Sequence, residues 1–312
     1  KSERYYFDST SKTTFEKIQK HLPGYEIGIT GLNKDENIII LRTYSDKSLG
    51  AYYIYNSEDD KMEKIVDVSP WIDENEMSNQ LPIAYQSRDG LKINGYLTLP
   101  NGYNMENAKN LPVVINPHGG PWLRDSWGFN PEIQFLANRG YAVLQMNFRG
   151  STGYGRKFFE ASFKKWGREM QDDITDGTQW LIDKGIADST RIAIYGGSYG
   201  GYLTAMALGR DSQLFSGGVD IHGVHDRTLY GYLNSINYEK APDYELARET
   251  AWESSPIADV NTWKSPVLII HADDDRNVYF KQSTDLVQRL MKKKVYMETM
   301  VIVDDTHHFM MF

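Results

Sequence analysis

The sequence predicts an α/β protein built on a mostly parallel sheet with helices on both faces, and three observations carry that prediction. From Leu81 onward, short apolar runs alternate with helix-length stretches, the order of strands joined by crossover helices. The runs Leu111-Pro-Val-Val-Ile-Asn116, Ile192 to Tyr195 and Pro266-Val-Leu-Ile-Ile-His271 are apolar without polar alternation, as strands buried on both faces are. Finally, Arg191-Ile-Ala-Ile-Tyr-Gly-Gly-Ser-Tyr-Gly-Gly-Tyr202 leads from such a strand through a glycine-rich corner into Tyr202 to Leu208, a stretch of strong helix formers.

Residues 1 to about 80 follow a different pattern. Ile38 to Tyr44 and Ala51 to Tyr55 read as strands joined by Ser45-Asp-Lys-Ser-Leu-Gly50, and Lys61 to Val66 as a third. A small antiparallel sheet of this size cannot bury both faces alone. The expectation for 1–80 is a partial β-propeller, its last blade, ahead of a separate α/β domain over 81–312. Within 81–312, Leu91 to Leu99 alternates and ends at Pro100, as an edge strand does. Leu111 to Asn116 leads into Pro117-His-Gly-Gly-Pro121, then come a helix over about 130–139 and the strand Tyr141 to Met146. Asp172, Asp173 and Asp176 open a helix, where a favourable interaction with the helix dipole accounts for them. Beyond the glycine-rich corner, Gly217 to His222 is a strand, about 226–262 an irregular helical insertion rich in aromatics, 281–292 a helix and Val295 to Val303 the last strand. The chain stops five residues past His307, so the expectation is a domain cut short at its C-terminus.

The formal net charge of −8 and pI near 5.4, with Lys292-Lys-Lys294 as the longest basic tract, argue against nucleic acid or an anionic membrane as the main partner. With no cysteine, disulfides and thiolate chemistry are excluded, while the compartment stays open. No signal peptide and no 18-residue apolar run is visible, and the first residue is Lys rather than Met. A homo-oligomer is compatible with this composition, on which the sequence is otherwise silent.

Gly196-Gly-Ser-Tyr-Gly200 fits G-x-S-x-G, the nucleophile elbow. A serine in that strained turn needs neighbours without side chains two residues to either side, and Gly196 and Gly200 meet the need. The turn lifts the Ser198 hydroxyl to a helix N-terminus, where the backbone N–H of Tyr199 points at a developing oxyanion. A nucleophilic serine needs a base and the base an orienting acid. In the α/β-hydrolase arrangement they follow in the order Ser, acid, His. That order leaves His307 and His308 as bases and Asp273-Asp-Asp275, after the strand ending at His271, as acids. Spacing does not choose among them. His222 and His225 with Asp226 lack a fourth ligand at a set spacing, and Asp273 to Asp275 lack the alternation of a calcium loop, so no metal is predicted. Gly150 to Gly155 lacks the Lys-Ser or Lys-Thr of a phosphate loop and reads as structural.

Gly196-Gly-Ser-Tyr-Gly-Gly201, His118-Gly-Gly-Pro121, Asn147-Phe-Arg-Gly-Ser-Thr-Gly-Tyr-Gly155 and Ile270-His-Ala-Asp-Asp-Asp-Arg-Asn-Val278 together resemble the catalytic domain of the prolyl oligopeptidase family of serine peptidases, especially its acylaminoacyl-peptidase-like and dipeptidyl-peptidase-like branches. The resemblance covers roughly 81–312. It implies Ser198, Asp275 and His307 as a catalytic triad and the N–H of Gly120 as a second oxyanion donor beside that of Tyr199. Some relatives place a tyrosine hydroxyl where this chain has His118, which favours the backbone donor here. It also implies Asn277 and Val278 as substrate contacts, with Tyr230, Tyr232 and Tyr238 lining the pocket for the residue before the scissile bond. The implied activity is hydrolysis of short peptides without a cofactor. An esterase would use the same groups, and a catalytically silent, propeller-docked module is the alternative of a different class.

Overall fold

The computed structural model describes residues 3–229, 233 and 238–310. The chain divides into two units: Lys1–Gln80 with Thr98–Gly102 and Ser126–Arg139, and Leu81–Leu97 with Tyr103–Asp125 and Gly140–Phe312.

The first unit opens with helix α1 (Ser9–His21), capped by Asp8, whose carboxylate accepts from the N–H of Ser11. Four antiparallel strands follow, β1 (Glu26–Leu32), β2 (Ile38–Tyr44), β3 (Ala51–Asn56) and β4 (Lys61–Asp67), paired in chain order. Phe15 and Ile18 of α1 pack with Leu22, Ile27, Ile39, Leu41 and Tyr55 into one core. The sequence pattern predicts only β2 to β4. Gly28 and Gly31 interrupt β1, and in α1 only Phe15 and Ile18 are buried, too few for a periodic apolar stripe. Helix α2 (Pro131–Asn138) also belongs to this unit. Its buried Gln134 accepts from the N–H of Ser78 and donates to the carbonyls of Asp46 and Ser78.

The second unit is a sheet with helices between its strands. Its strands are β5 (Gln80–Gln86), β6 (Lys92–Thr98), β7 (Leu111–Ile115), β8 (Ala142–Asn147), β9 (Ala187–Gly197), β10 (Gly217–Ile221), β11 (Val267–Ala272) and β12 (Met297–Ile302), in the spatial order β12-β11-β10-β9-β7-β8-β6-β5. The five neighbours β7, β9, β10, β11 and β12 are parallel. Val113, Ile115, Ile192 and Ile194 are wholly buried at their centre, each contributing roughly 1.5–3 kcal/mol of hydrophobic stabilisation. Pairing of Gly197 with Ile221, Ile221 with Ile270 and Ala272 with Ile302 aligns the strand ends. Loops leaving β7, β9, β10, β11 and β12 therefore open along one edge, where parallel sheets carry their sites.

Between these strands run the helices α3 (Arg156–Glu160), α4 (Glu169–Asp183), α5 (Tyr199–Arg210), α6 (Tyr244–Glu253) and α7 (Lys281–Lys293). The acids of α4 do more than complement a dipole. Asp173 is fully buried and takes a bidentate pair from Arg149, whose guanidinium also reaches Asp89, while Asp172 and Asp176 pair with Arg88. Arg149 thereby ties the Asn147 to Gly155 loop to α4. A bidentate guanidinium on a buried carboxylate holds that geometry far more specifically than a dipole would. No helix among the described residues is long and apolar enough to cross a membrane.

Candidate active site

Ser198 sits between β9 and α5 with φ 57° and ψ −117°, a left-handed backbone that non-glycine residues seldom adopt. Glycine on either side makes it attainable. A Cβ on Gly196 would come within 2.6 Å of the Gly200 backbone, and one on Gly200 within 2.3 Å of the Pro117 carbonyl oxygen. The Ser198 N–H donates to the Ile221 carbonyl at 2.9 Å, and its own carbonyl starts α5 by accepting from Tyr202. Tyr199 begins α5 with its ring 2% exposed and edge-on to Trp166 at 4.6 Å, its hydroxyl against Met170 Sδ. Burial holds that phenol well above its ordinary pKa.

The loop after β7 lies against the elbow. A Cβ on Gly119 would stand 3.6 Å from Ser198 Cβ and 3.2 Å from the Gly197 carbonyl oxygen. Gly120, with φ +122°, follows, ahead of a cis bond to Pro121. His118 fixes this loop. Its Nδ1 lies 2.7 Å from the Gly119 carbonyl, which only accepts, so that nitrogen carries the proton. Nε2 lies 2.8 Å from Ser151 Oγ, and the ring stacks on Phe148 at 4.3 Å. Burial brings His118 down to about 4, partly offset by the bond to Gly119. It is a neutral brace at physiological pH.

Asp275 and His307, on the loops after β11 and β12, meet. His307 Nδ1 donates to Asp275 Oδ2 at 2.6 Å, and both side chains are buried. The N–H groups of Asn277 and Val278 donate to Asp275 Oδ1 at 2.8 and 2.9 Å. His271 Nε2 lies 3.2 Å from Oδ2 and 2.8 Å from the Val278 carbonyl, while Ser283 holds its Nδ1 at 2.7 Å. Burial alone would push the Asp275 carboxyl up. The His307 bond and the two N–H groups outweigh it and hold it below the usual carboxylate range. An ionised carboxylate here fixes the imidazole with the proton on Nδ1 and leaves Nε2 as the basic nitrogen. Asp273 is exposed and accepts from the N–H of Asp304, Asp274 pairs with Arg276, and His308 is exposed.

Ser198 makes no side-chain hydrogen bond among the described residues. Such nucleophile–base bonds are commonly long before substrate arrives. Close to Gly197 and to His307 lies His222, the residue after β10, which sequence reasoning left without a role here. A Cβ on Gly197 would be 3.2 Å from His222 Nε2, and the His222 ring lies 4.2 Å from that of His307. Single ligand atoms from His222, Asp275 and His307 all lie within 4.8 Å of one another. The signal for His222 was its place one residue past the strand β10, equivalent to that of Ser198 after β9. The grouping weighed from the sequence does not form: His225 turns to Asp220, and Asp226 accepts from Thr228.

Asn277 is exposed and Val278 is 1% exposed, so their evident contacts are those with the Asp275 carboxylate. Tyr230 and Tyr232 lie outside the described residues. Tyr238 lines a cavity of about 800 Å³ that also touches Gly120, Trp122, Trp166, Arg227 and Leu246. That cavity adjoins the His118 loop and holds mostly apolar walls.

Residues 127–311 match the prolyl oligopeptidase family. The chain is 31% identical over 316 residues to dipeptidyl aminopeptidase BIII of Pseudoxanthomonas mexicana, covering 97% of this chain and 46% of that protein. It is 28% identical to dipeptidyl peptidase family member 6 of Caenorhabditis elegans, covering 98% of this chain and 45% of that one. Among solved structures, the acylaminoacyl peptidase of Pyrococcus horikoshii superposes with a TM-score of 0.73 at 26% identity, over 89% of this chain and 45% of that one. The chain thus spans about half the length of the relatives it matches.

Proposed function

The chain belongs to the prolyl oligopeptidase family, and on that premise we propose that it hydrolyses short peptides through an acyl-enzyme on Ser198. The observation that carries the proposal is the buried Asp275–His307 bond at one strand edge with the strained Ser198 and the Gly119 loop. In this reading His307 Nε2 takes the hydroxyl proton as Ser198 Oγ attacks the scissile carbonyl carbon. The displaced electron pair rests on the carbonyl oxygen, facing the N–H groups of Tyr199 and Gly120. Collapse breaks the C–N bond, His307 returns its proton to the leaving amine, and water repeats the sequence on the ester. Asp275 stays ionised throughout and orients the ring. The residue before the scissile bond would enter the cavity beside Trp122 and Trp166. The first unit reads as the last blade of a propeller, since four antiparallel strands in chain order make one blade.

Labelling by a fluorophosphonate tests the nucleophile: the chain labels, and Ser198→Ala does not. Comparing kcat/KM for a short peptide amide, with free and blocked amino end, against a chromogenic ester of the same acyl group tests the substrate class. Ester turnover without amide turnover would replace the peptidase reading with an esterase.

A further inference from the structure

His222 is an expensive residue for its position. It is 8% exposed and sits at φ +43°, a conformation that costs a non-glycine residue on the order of 1 kcal/mol or more. Its Nδ1 is buried without a partner, and neither nitrogen makes a hydrogen bond among the described residues. Orphaned buried polar atoms are rare and ask for a ligand or a role. Its ring is flanked by His307 at 4.2 Å, Phe309 at 5.1 Å and His271 at 6.2 Å. Those rings hold it in place without satisfying it.

We propose that His222, His307 and Asp275 form a three-ligand site for a divalent transition ion of the zinc type, and that its occupancy switches off the base. Two imidazoles and one carboxylate with a fourth position open are a donor set that suits zinc. A single carboxylate beside two imidazoles does not suit calcium or magnesium, which take oxygen ligands. The three residues offer atoms within 4.8 Å of one another, so small side-chain rotations bring them to zinc distances. Inhibition follows whichever nitrogen of His307 is used. Coordination by Nε2 occupies the pair that would accept the serine proton, whereas coordination by Nδ1 moves the ring proton from Nδ1 to Nε2, which then has no free pair to accept it, and removes the bond to Asp275. The inhibitory half rests on His307 acting as the base; the binding half does not.

The test is calorimetric titration of the chelator-treated chain with Zn²⁺, alongside hydrolysis rates over the same Zn²⁺ range. His222→Phe keeps an aromatic ring against His307 and removes both nitrogens. The expected result is one equivalent bound by the parent chain, binding weakened by at least about tenfold in His222→Phe, the low end of what outer-shell partners alone contribute, and inhibition that weakens in parallel and is reversed by EDTA. His307→Ala, titrated in the same way, should lose the site whether or not the chain is active. Should His222→Phe fail to fold, this second variant decides. Equal affinity in the parent and the folded variant, or no binding at about 100 µM Zn²⁺, overturns the site. Stoichiometric binding with undiminished hydrolysis overturns the inhibition.

Discussion

Asp275 with His307 and Asp220 with His225, both buried in the second unit, are alike in composition and opposite in placement. Asp275 and His307 meet at 2.6 Å on loops at the open edge of the sheet. Asp220 and His225 meet at 2.5 Å with both side chains wholly inaccessible. The second pair lies behind the elbow helix: a Cβ on Gly201 would come within 2.6 Å of Asp220 Oδ1, and one on Gly223 within 2.5 Å. Asp220 Oδ1 also holds the N–H of Gly223. His225 is wholly inaccessible and faces no elbow serine among the described residues. An Asp–His pair is therefore not a catalytic signature by itself. Position at the C-terminal edge beside a strained serine is what separates the proposed proton relay from a structural brace.

The sharpest way to break this comparison is to remove the same group from each pair. His307→Gln should lower kcat/KM by on the order of 10⁴-fold or more, the scale seen when a triad member is lost, while its melting temperature stays within a few degrees. His225→Gln should keep kcat/KM within about tenfold per folded molecule. Steady-state hydrolysis with each variant's folded fraction measured by circular dichroism checks both, and equal activity losses would end the distinction. Asp275→Asn should follow His307→Gln, because an amide no longer dictates which imidazole nitrogen carries the proton.

The next effect falls on stability. Asp220→Ala leaves His225 buried without its partner and Gly223 without its acceptor, and breaking a buried pair in this way costs about 3–5 kcal/mol. Urea unfolding should show that loss for Asp220→Ala. Asp275→Asn, which keeps the shape and the second-loop contacts, should lose less. A smaller loss at Asp220 than at Asp275 would mean that the sealed pair is not the brace its burial implies.

Much of this contrast was legible before any coordinates. G-x-S-x-G between a strand and a helix placed Ser198, and the order serine, acid, histidine kept His225 out of consideration because it comes too early in the chain. Spacing could not choose Asp275 from Asp273 and Asp274, since the choice depends on which carboxylate the N–H groups of Asn277 and Val278 turn inward. The Arg149–Asp173 pair joins residues in different elements, so the local reading of α4 as a dipole-complemented helix missed it. His222 was missed for the same reason: its contact with His307 is made only when β10 and β12 are brought alongside β11. Glycines in β1 and the polar face of α1 hid both elements, because packing rather than propensity forms them.

The smallest expected effect is on the pH dependence of stability, and it belongs to the open edge. Burial lowers both His118 and His222 from an ordinary 6.5 to about 4. Between those values the unfolded chain binds protons that the folded chain refuses, so stability rises with pH across that window and is lost as pH falls from about 6.5 toward 4. Each such group contributes on the order of 3 kcal/mol over the full window. Asp275, held below the usual carboxylate range, contributes stability that is present above about pH 4 and lost only beneath it, so it leaves this window flat. His222→Phe should therefore flatten the slope of unfolding free energy between pH 6.5 and pH 4 by about one proton, without touching the acid limb below it. An unchanged slope in urea titrations at several pH values would show that His222 takes up its proton in the folded state, and the orphaned ring beside the base would then be partnered by solvent.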